Sequence, residues 1–321
     1  MKAPGFWYRR PGLWSTLLYP LAALWAAGAV RRQARSGERV PVPVVCIGNL
    51  TAGGTGKTPT VIALVEALSG RAVHVVSRGY GGSEEGPLRV DGRSHSAAQV
   101  GDEPLLLSAF APVWVARDRV AGAQAAVADG AGMVLLDDGY QNPSLTKDLT
   151  IVVVDAGVGF GNGRVMPAGP LREPMVTGLA RADYVLVIGR PQDRTRFRDR
   201  LDFGGPVAEA ELAPLQTGMD WAGARVLAFA GIGRPEKFFQ TLEDLGADIV
   251  AAHGFGDHAP YRADLLARLD REARQLGAQL VTTEKDAARL PDAFRRKVVA
   301  LPVRLQFADD AGLIDAIKGL S

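Results

Sequence analysis

The chain has 321 residues, of which 47% are hydrophobic, and it carries a formal net charge of +2. A chain of this length predicts two units that each bury a core, and so small a net charge argues against a surface built to bind nucleic acid. The one cysteine, Cys46, excludes an internal disulfide framework and a cysteine-based metal cluster, as is typical of a protein from a reducing compartment.

The chain begins with an uncharged stretch at residues 11–30, which has basic residues on both sides. Four interpretations compete for it: a signal peptide, a membrane-spanning helix, a helix packed in the core, and a helix lying in the membrane interface. The spacing favours the interfacial helix, because the large apolar residues fall on one face and small or weakly polar residues on the other. The large residues are Leu13, Trp14, Leu17, Leu18, Leu21, Leu24 and Trp25.

A glycine-rich loop follows an apolar run at residues 44–47 and precedes a segment of helical period at residues 60–68. This order of strand, loop and helix is the setting of a phosphate-binding P-loop, whose backbone N–H groups surround phosphate oxygens. Lys57 would reach the outer phosphates, and Thr58 would hold Mg²⁺. The spacing departs from the usual motif, since Thr51 stands where its first glycine is expected. The residues predicted to bind the nucleotide are Gly53, Gly54, Thr55, Gly56, Lys57 and Thr58.

Apolar runs that alternate with helical segments predict a mostly parallel sheet covered by helices on both faces. Further strands are expected at residues 73–77, 113–116, 133–136, 149–154 and 184–188. Residues 204–220 predict a linker, after which strands are expected at 225–230, 249–252, 279–282 and 298–303. The predicted fold class is therefore α/β of the P-loop NTPase type, with a second, smaller α/β domain and an N-terminal interfacial helix. We place the membrane-associated helix at 1–38, the nucleotide-binding domain at 39–218 and the smaller domain at 219–321.

Two pairs of adjacent carboxylates are candidates for the chemistry. Asp137 and Asp138 end an apolar strand, which is where a P-loop enzyme carries its Mg²⁺-binding carboxylate. Asp102 and Glu103 stand at a predicted helix start. Asp102 is either the cap of that helix or a general base for an acceptor hydroxyl, and the sequence leaves both interpretations open.

Three further features lie in predicted loops. His258 stands between a strand and a helix, in a segment that either caps the helix or brings an imidazole to a cleft between the domains. Arg78 lies in a glycine-rich loop that either contacts a ligand or is a simple turn. Residues 157–174 form a long loop, in which Arg164 and Arg172 are candidates for binding a phosphate of the substrate. The histidines show no zinc-site spacing.

Taken together, these motifs resemble the lipid A disaccharide 4′-kinase (tetraacyldisaccharide 4′-kinase) family. The resemblance runs through nearly the whole chain in one order and includes the departure at Thr51. Its motifs include Gly48-Asn49-Leu50-Thr51, Ser77-Arg78-Gly79-Tyr80-Gly81-Gly82, Gly101-Asp102-Glu103-Pro104, Asp137-Asp138-Gly139-Tyr140-Gln141, Gly161-Asn162-Gly163, Pro170-Leu171-Arg172-Glu173-Pro174, Ala230-Gly231-Ile232-Gly233, Asp257-His258 and Thr283-Glu284-Lys285-Asp286.

The resemblance implies an enzyme that uses ATP and Mg²⁺ to phosphorylate the 4′-hydroxyl of tetraacyldisaccharide 1-phosphate, giving lipid IVA. It implies that Asp102 is the catalytic base, that His258 tunes it, and that Lys57 acts on the phosphates. Asn142 stands where the family typically has histidine, so a hydrogen-bonding role toward the substrate is expected there. The residues implied to serve the metal and the nucleotide are Thr58, Glu103, Asp137 and Asp138.

The resemblance also implies a setting at the cytoplasmic face of the inner membrane. The expected partners are the acylated disaccharide 1-phosphate and the membrane surface, with no nucleic acid, and we expect a monomer. Two other functions fit a P-loop protein. An ATPase or GTPase acting as a metallochaperone or partner switch would carry Cys or His clusters, which this sequence lacks. A membrane-anchored nucleotide sensor would not need Asp102, His258 or the long loop.

Overall fold

A computed structural model describes residues 3–216, 218–257 and 259–321. Its strands form one large and one small sheet. In chain order the strands are β1 (Val44–Gly48), β2 (Val73–Ser77), β3 (Leu88–Arg89), β4 (Val113–Val115), β5 (Met133–Asp137), β6 (Leu149–Asp155), β7 (Tyr184–Ile188), β8 (Val207–Pro214), β9 (Arg225–Ala230), β10 (Asp248–Gly254), β11 (Gln279–Thr283), β12 (Val298–Leu301) and β13 (Val303–Asp309).

The large sheet has the strand order β13-β8-β7-β6-β1-β5-β2-β4-β3. Its edge strands β13 and β3 run antiparallel to their neighbours, and the strands between them are parallel. The small sheet has the order β10-β9-β11-β12 and is parallel. The predicted α/β fold class is thus confirmed. Because parallel strands end at one edge, the loops after β1, β2 and β5 meet there.

Strand β1 shows why the large sheet is covered on both faces. All five of its residues are buried. Their side chains alternate between two core clusters, with Val45 and Ile47 in one and Val44 and Cys46 in the other. An uninterrupted apolar run therefore matches a central strand that has helices on either side.

The helices pack on both faces of the large sheet and around the small one. Helix α3 contributes Val61 and Leu64 to one core cluster, whereas α6 contributes Val120 and Ala123 to the other. After a short 3-10 helix at Gly5–Tyr8, the helices are α1 (Leu13–Leu17), α2 (Tyr19–Gln33), α3 (Lys57–Ala67), α4 (Ala97–Val100), α5 (Asp102–Leu107), α6 (Arg119–Ala128), α7 (Met175–Leu179), α8 (Pro191–Arg198), α9 (Pro235–Asp244), α10 (Ala263–Leu276), α11 (Glu284–Ala287), α12 (Asp292–Arg295) and α13 (Leu313–Lys318).

Two predictions about the second half of the chain are wrong. The linker predicted at residues 204–220 contains β8, which lies between β7 and β13 in the large sheet. The strand predicted at 298–303 is divided at Pro302, so that β12 belongs to the small sheet and β13 to the large one. The division into domains stays a prediction, and a boundary at residue 219 would separate β13 from the sheet in which it pairs.

The N-terminal segment forms two helices with one exposed apolar face. Leu13 is 81% exposed and Leu24 is 73% exposed, whereas Ser15 and Ala22 are buried. The large apolar residues are therefore mostly exposed, as expected from the spacing, but the opposite face is buried only in part, since Thr16, Ala23 and Ala27 are also exposed. The segment is also interrupted, because α1 ends at Leu17 and α2 begins at Tyr19. In the part of the chain that the structure describes, no helix is both long and apolar enough to cross a membrane.

The N-terminal segment is held by hydrogen bonds to the long loop at residues 157–174. The Ser15 hydroxyl donates to the Ala168 carbonyl oxygen at 2.8 Å. The indole N–H groups of Trp7 and Trp25 donate to the Pro167 and Arg172 carbonyl oxygens, each at 3.0 Å. The loop thus serves as the base on which the N-terminal helices lie.

Candidate active site

The glycine-rich loop connects the end of β1 to the start of α3, as predicted. Gly48 has no room for a side chain, since a Cβ there would lie 2.4 Å from Cβ of Tyr140. Gly56 immediately precedes α3 with a φ of +98°, a conformation that favours glycine. Gly53 and Gly54 are exposed between them. The loop therefore presents backbone N–H groups and a helix N-terminus at the sheet edge, which is the arrangement that binds phosphate.

Asn49 stabilises the glycine-rich loop through hydrogen bonds from its buried side chain. It is fully buried, and its side-chain amide donates to the carbonyl oxygens of Thr51 at 2.8 Å and Gly53 at 3.3 Å. The Thr55 hydroxyl is buried and, within the described residues, has no hydrogen-bond partner. Thr58 is also buried. Two hydroxyls thus stand at the start of α3, one of which has an unused hydrogen-bonding capacity.

Asp137 is the last residue of β5 and lies beside the P-loop strand, paired with Ile47. One carboxylate oxygen accepts the Ser77 hydroxyl at 3.1 Å, whereas the other is buried and meets no hydrogen-bond donor among the residues described. Burial, followed by the negative charges of Glu103 and Asp138, raises the pKa of Asp137 to about 7. Such a carboxylate is suited to a cation, because a cation supplies the charge that its surroundings lack.

The pKa of Asp138, the next residue, is shifted in the opposite direction. The φ of Asp138 is 56°, a left-handed conformation that is uncommon for a residue other than glycine, and its side chain reaches Lys57 of the P-loop. Arg172 donates to both carboxylate oxygens at 2.9 and 3.1 Å, and Lys57 Nζ lies 3.6 Å from Oδ1. Burial alone would raise the pKa of Asp138, but Lys57 and Arg172 outweigh it and hold the pKa below its usual range. Asp138 thus orients two cations at the site.

Asp102 and Glu103 form the first turn of α5, which is preceded by Gly101. Asp102 is buried and accepts the Glu103 backbone N–H at 3.0 Å, and its side chain is not the N-cap of α5. The N-cap position therefore lies one residue before Asp102, whose side chain nevertheless satisfies one N–H group of the first turn, as the cap interpretation expects. The general-base interpretation stays a prediction.

Lys285, which follows β11 of the small sheet, joins the two sheets at this point. Its Nζ lies 3.0 Å from Glu103, 3.6 Å from Asp257 and 3.9 Å from Asp102. Burial disfavours its charged form, yet Glu103, Asp102 and Asp257 outweigh burial and raise the pKa of Lys285. One cation is thus shared by three carboxylates. His258, the predicted partner of Asp102, lies outside the described residues.

A loop of the small sheet approaches the P-loop directly. A Cβ placed on Gly233 would lie 3.4 Å from the Gly54 amide nitrogen and 3.7 Å from Asp257. The loop is fixed at Gly231, whose N–H donates to Asp286 at 3.0 Å. Both sheets therefore form walls of the same site.

The four residues predicted to bind substrate have different surroundings. Arg78 is exposed and follows β2 at the carboxyl edge of the sheet. Asn142 is half-buried and accepts the Ser144 N–H at 2.8 Å. Arg164 donates to the Ser15 carbonyl oxygen at 2.8 Å, which places it under the N-terminal helices. Arg172 holds Asp138, as described above. The structure brings Arg172 to the P-loop, and the role of all four toward a substrate stays a prediction.

Sequence reasoning assigned no role to Asn49, Lys285 or Asp155, which the structure places at or near this site. Each had a signal in the sequence. Asn49 directly follows a strand and Lys285 stands two residues after one, both within quoted motifs, and Asp155 ends an apolar run. In the described part of the chain there is no group of three or more His, Cys, Asp or Glu side chains arranged to hold a metal ion.

Comparisons with known proteins agree with this geometry. The profile of the family described as tetraacyldisaccharide-1-P 4′-kinase matches residues 14–320. The chain is 58% identical to the tetraacyldisaccharide 4′-kinase of Dinoroseobacter shibae, over 100% of this chain and 98% of that protein. It is 59% identical to the enzyme of the same name from Jannaschia sp., over 98% of each. A crystal structure of LpxK from Aquifex aeolicus in complex with ATP is 26% identical and superimposes with a TM-score of 0.76, over 95% of this chain and 99% of that one.

Proposed function

The chain belongs to the tetraacyldisaccharide-1-P 4′-kinase family, and from this membership we propose how its own residues perform the reaction. It is an ATP-dependent kinase of lipid A biosynthesis that phosphorylates the 4′-hydroxyl of a tetraacyldisaccharide 1-phosphate. One observation carries the assignment of roles. The P-loop, the Asp137–Asp138 pair and the Asp102–Glu103 pair meet at one sheet edge. There Lys57 lies 3.6 Å from Asp138, and Gly101, which precedes Asp102, packs against the loop after β2, since a Cβ on it would lie 2.8 Å from the Tyr80 carbonyl oxygen.

The nucleotide phosphates bind to the P-loop and the N-terminus of α3 in this proposal. Two buried oxygens without partners among the described residues, on Thr55 and Asp137, support it, because a ligand would satisfy both. Asp137, Thr58 and Glu103 would hold Mg²⁺, which neutralises phosphate charge when bound. A small number of protein ligands suits this ion, since Mg²⁺ usually binds one or two carboxylates together with phosphates and waters. Asp138 keeps Lys57 and Arg172 directed at the phosphates.

Asp102 removes the proton of the 4′-hydroxyl as the new bond to phosphorus forms. A sugar hydroxyl has a pKa far above 7, so it needs a base only when its oxygen attacks. Lys285 and Arg289, at 3.9 and 3.7 Å, place two positive charges beside the buried Asp102 carboxylate and orient it. His258 is proposed to complete this arrangement, in accordance with the family resemblance. The chemistry is then chiefly positioning and charge neutralisation, as phosphoryl transfer requires.

The test is a reaction with ATP, Mg²⁺ and tetraacyldisaccharide 1-phosphate, followed by mass spectrometry. We expect a product heavier by one phosphate on the distal sugar. Asp102→Asn should lower kcat by roughly 10²–10⁴-fold with little change in KM for ATP, because it removes a base. Asp270→Asn, which alters a half-buried carboxylate paired with Lys297 on the small sheet's helix α10, is the matched control and should keep full activity. ATP hydrolysis without a phosphorylated lipid would favour the ATPase alternative.

The N-terminal helices are proposed to lie on the cytoplasmic face of the inner membrane. The support is their exposed apolar face, which includes Leu17 at 66% exposure and Leu24 at 73%, with Arg31 and Arg32 at the end of α2. A Leu17→Asp/Leu24→Asp variant should no longer float with phospholipid vesicles and should still bind ATP. Vesicle binding that is unchanged in this variant would contradict the proposal.

A further inference from the structure

Asp155, at the end of β6, receives two cations from the small sheet. Its side chain is only 6% exposed. The Arg234 guanidinium donates to Oδ2 at 3.0 Å and the Lys237 ammonium at 2.6 Å, while the Gly157 N–H donates to Oδ1 at 3.0 Å. Arg234 is the N-cap of α9, and Lys237 lies in its first turn. A buried carboxylate of the large sheet thus anchors the start of one helix of the small sheet.

This anchor lies beside the P-loop. Strand β6 is the parallel neighbour of β1, with Val152 paired to Gly48, so that Asp155 lies at the same sheet edge as the loop that follows Gly48. Arg234 directly follows Gly233, whose Cβ position lies 3.4 Å from the Gly54 amide nitrogen. The ionic contact and the approach of the two loops are therefore adjacent in the chain.

The same loop is held at its other end within the small sheet. Asp286 accepts the Gly231 N–H at 3.0 Å, and Arg289 donates to the Gly231 carbonyl oxygen at 3.0 Å. These contacts shape residues 231–233 within the small sheet, and Arg289 also lies 3.7 Å from Asp102 of the large sheet, at the Gly231 end of the loop. The contact of Asp155 with Arg234 crosses to the large sheet at the other end, next to Gly233, and holds that end near the P-loop.

We propose that Asp155 is a positioning residue for ATP, which holds Arg234 and Lys237 so that residues 231–233 stay against the P-loop. The inference rests on the proposed nucleotide site. A site whose two walls are already in place binds its ligand with the full intrinsic affinity, whereas a wall that is placed only part of the time reduces the apparent affinity by that fraction. Asp155 acts through the loop and touches no reacting atom.

The test is Asp155→Asn, with binding of a fluorescent ATP analogue as the first measurement. Asparagine keeps the volume and the acceptor for the Gly157 N–H but loses the charge that holds the two cations. Because the charge-assisted hydrogen bonds from Arg234 and Lys237 are both weakened, we expect the Kd of the analogue and the KM for ATP to rise about tenfold. We expect kcat at saturating ATP and the KM for the lipid to stay within about twofold of the wild-type values. A general loss of structure would change these two constants together with the affinity for ATP.

The matched control is Asp244→Asn. Asp244, also on α9, accepts Arg190 of the large sheet at 2.6 Å, but this pair is exposed and lies at the other end of the helix. The control should leave the affinity for the analogue within about twofold. An equal loss in both variants would overturn the proposal, because it would show that any contact between the sheets has the same effect.

A second variant removes the cations instead. Arg234→Met/Lys237→Met should raise the Kd of the analogue by about the same factor. Adding Asp155→Asn to this variant should raise the Kd no further, because the three groups act through one contact. Unchanged affinity in folded Asp155→Asn, checked by thermal unfolding, would refute the proposal. If the analogue responds as expected but the lipid is not phosphorylated, the acceptor is wrong and the positioning role stands. A wild-type protein that fails to bind the analogue would refute both.

Discussion

Replacing Asp137 by asparagine should stabilise the protein above neutral pH while it abolishes phosphoryl transfer. The carboxylate of Asp137 is buried, and its pKa is raised to about 7, so the folded state prefers the protonated form. Asparagine is neutral at every pH and still accepts the Ser77 hydroxyl through its carbonyl oxygen. The variant therefore removes a charge that costs the folded protein stability, which proteins tolerate where function requires it.

The size and the sign of this change in stability follow from the linkage between folding and proton binding. The ordinary pKa of this carboxyl is 3.8, and in the folded protein it is about 7. Between these values the folded state binds a proton that the unfolded state has lost, so stability falls as pH rises, and the full penalty applies above pH 7. Three pKa units correspond to about 4 kcal/mol, of which about 3 kcal/mol should develop between pH 5 and pH 8.

The assay is urea unfolding of wild type and variant at both pH values, with a chelator to exclude divalent cations. The free energy of unfolding of Asp137→Asn relative to wild type should increase from pH 5 to pH 8. Asp270→Asn is the control, because the hydrogen bond from Lys297 and the charge of Arg274 hold the pKa of Asp270 below its usual range, and Asp270 is not among the groups that shift the pKa of Asp137. The charge of Asp270 is present throughout this range, so the change in the free energy of unfolding of Asp270→Asn should be the same at both pH values. A gain for Asp137→Asn that does not depend on pH, or a loss at pH 8, would refute the reasoning.

Three further changes should have distinct effects on the free energy of unfolding, each measured by urea denaturation. Lys285→Met leaves three carboxylates without their shared cation and should cost about 3 kcal/mol. Gly48→Ala places a Cβ 2.4 Å from that of Tyr140 and should cost about 1–3 kcal/mol. Ser15→Ala removes the 2.8 Å hydrogen bond to the Ala168 carbonyl and should cost about 1 kcal/mol, with earlier proteolysis of the N-terminal helices. A variant whose free energy of unfolding equals that of the wild type would contradict the contact from which its cost was derived.

The central strands were predictable because each is buried on both faces and therefore reads as an apolar run. Residues 73–77 and 184–188 have the predicted bounds. Strand β8 was missed because its buried and less buried residues alternate, as befits a strand near the sheet edge, and because a proline ends it. The break at Pro302 was missed because adjacent apolar residues on its two sides belong to different sheets.

The site was predictable in its parts and not in its connections. Motifs located the P-loop and the acidic pairs, since loops at the carboxyl edge of a parallel sheet carry ligands. The contact of Lys285 with Glu103 joins residues 182 positions apart, and that of Arg234 with Asp155 joins residues 79 positions apart. No local pattern specifies such partners, because they depend on how the second sheet is placed on the first.

The pairing of β8 with β13 determines how the small sheet is joined to the rest of the chain. The polypeptide leaves the large sheet after Pro214 and returns at Val303, and these two residues are antiparallel partners. The small sheet is therefore an insertion at the tip of a hairpin, attached by two connections that run side by side. We expect it to rotate about this common stem rather than translate. The same arrangement makes it excisable, since a tight turn between residues 214 and 303 would close the hairpin and leave every strand of the large sheet in register.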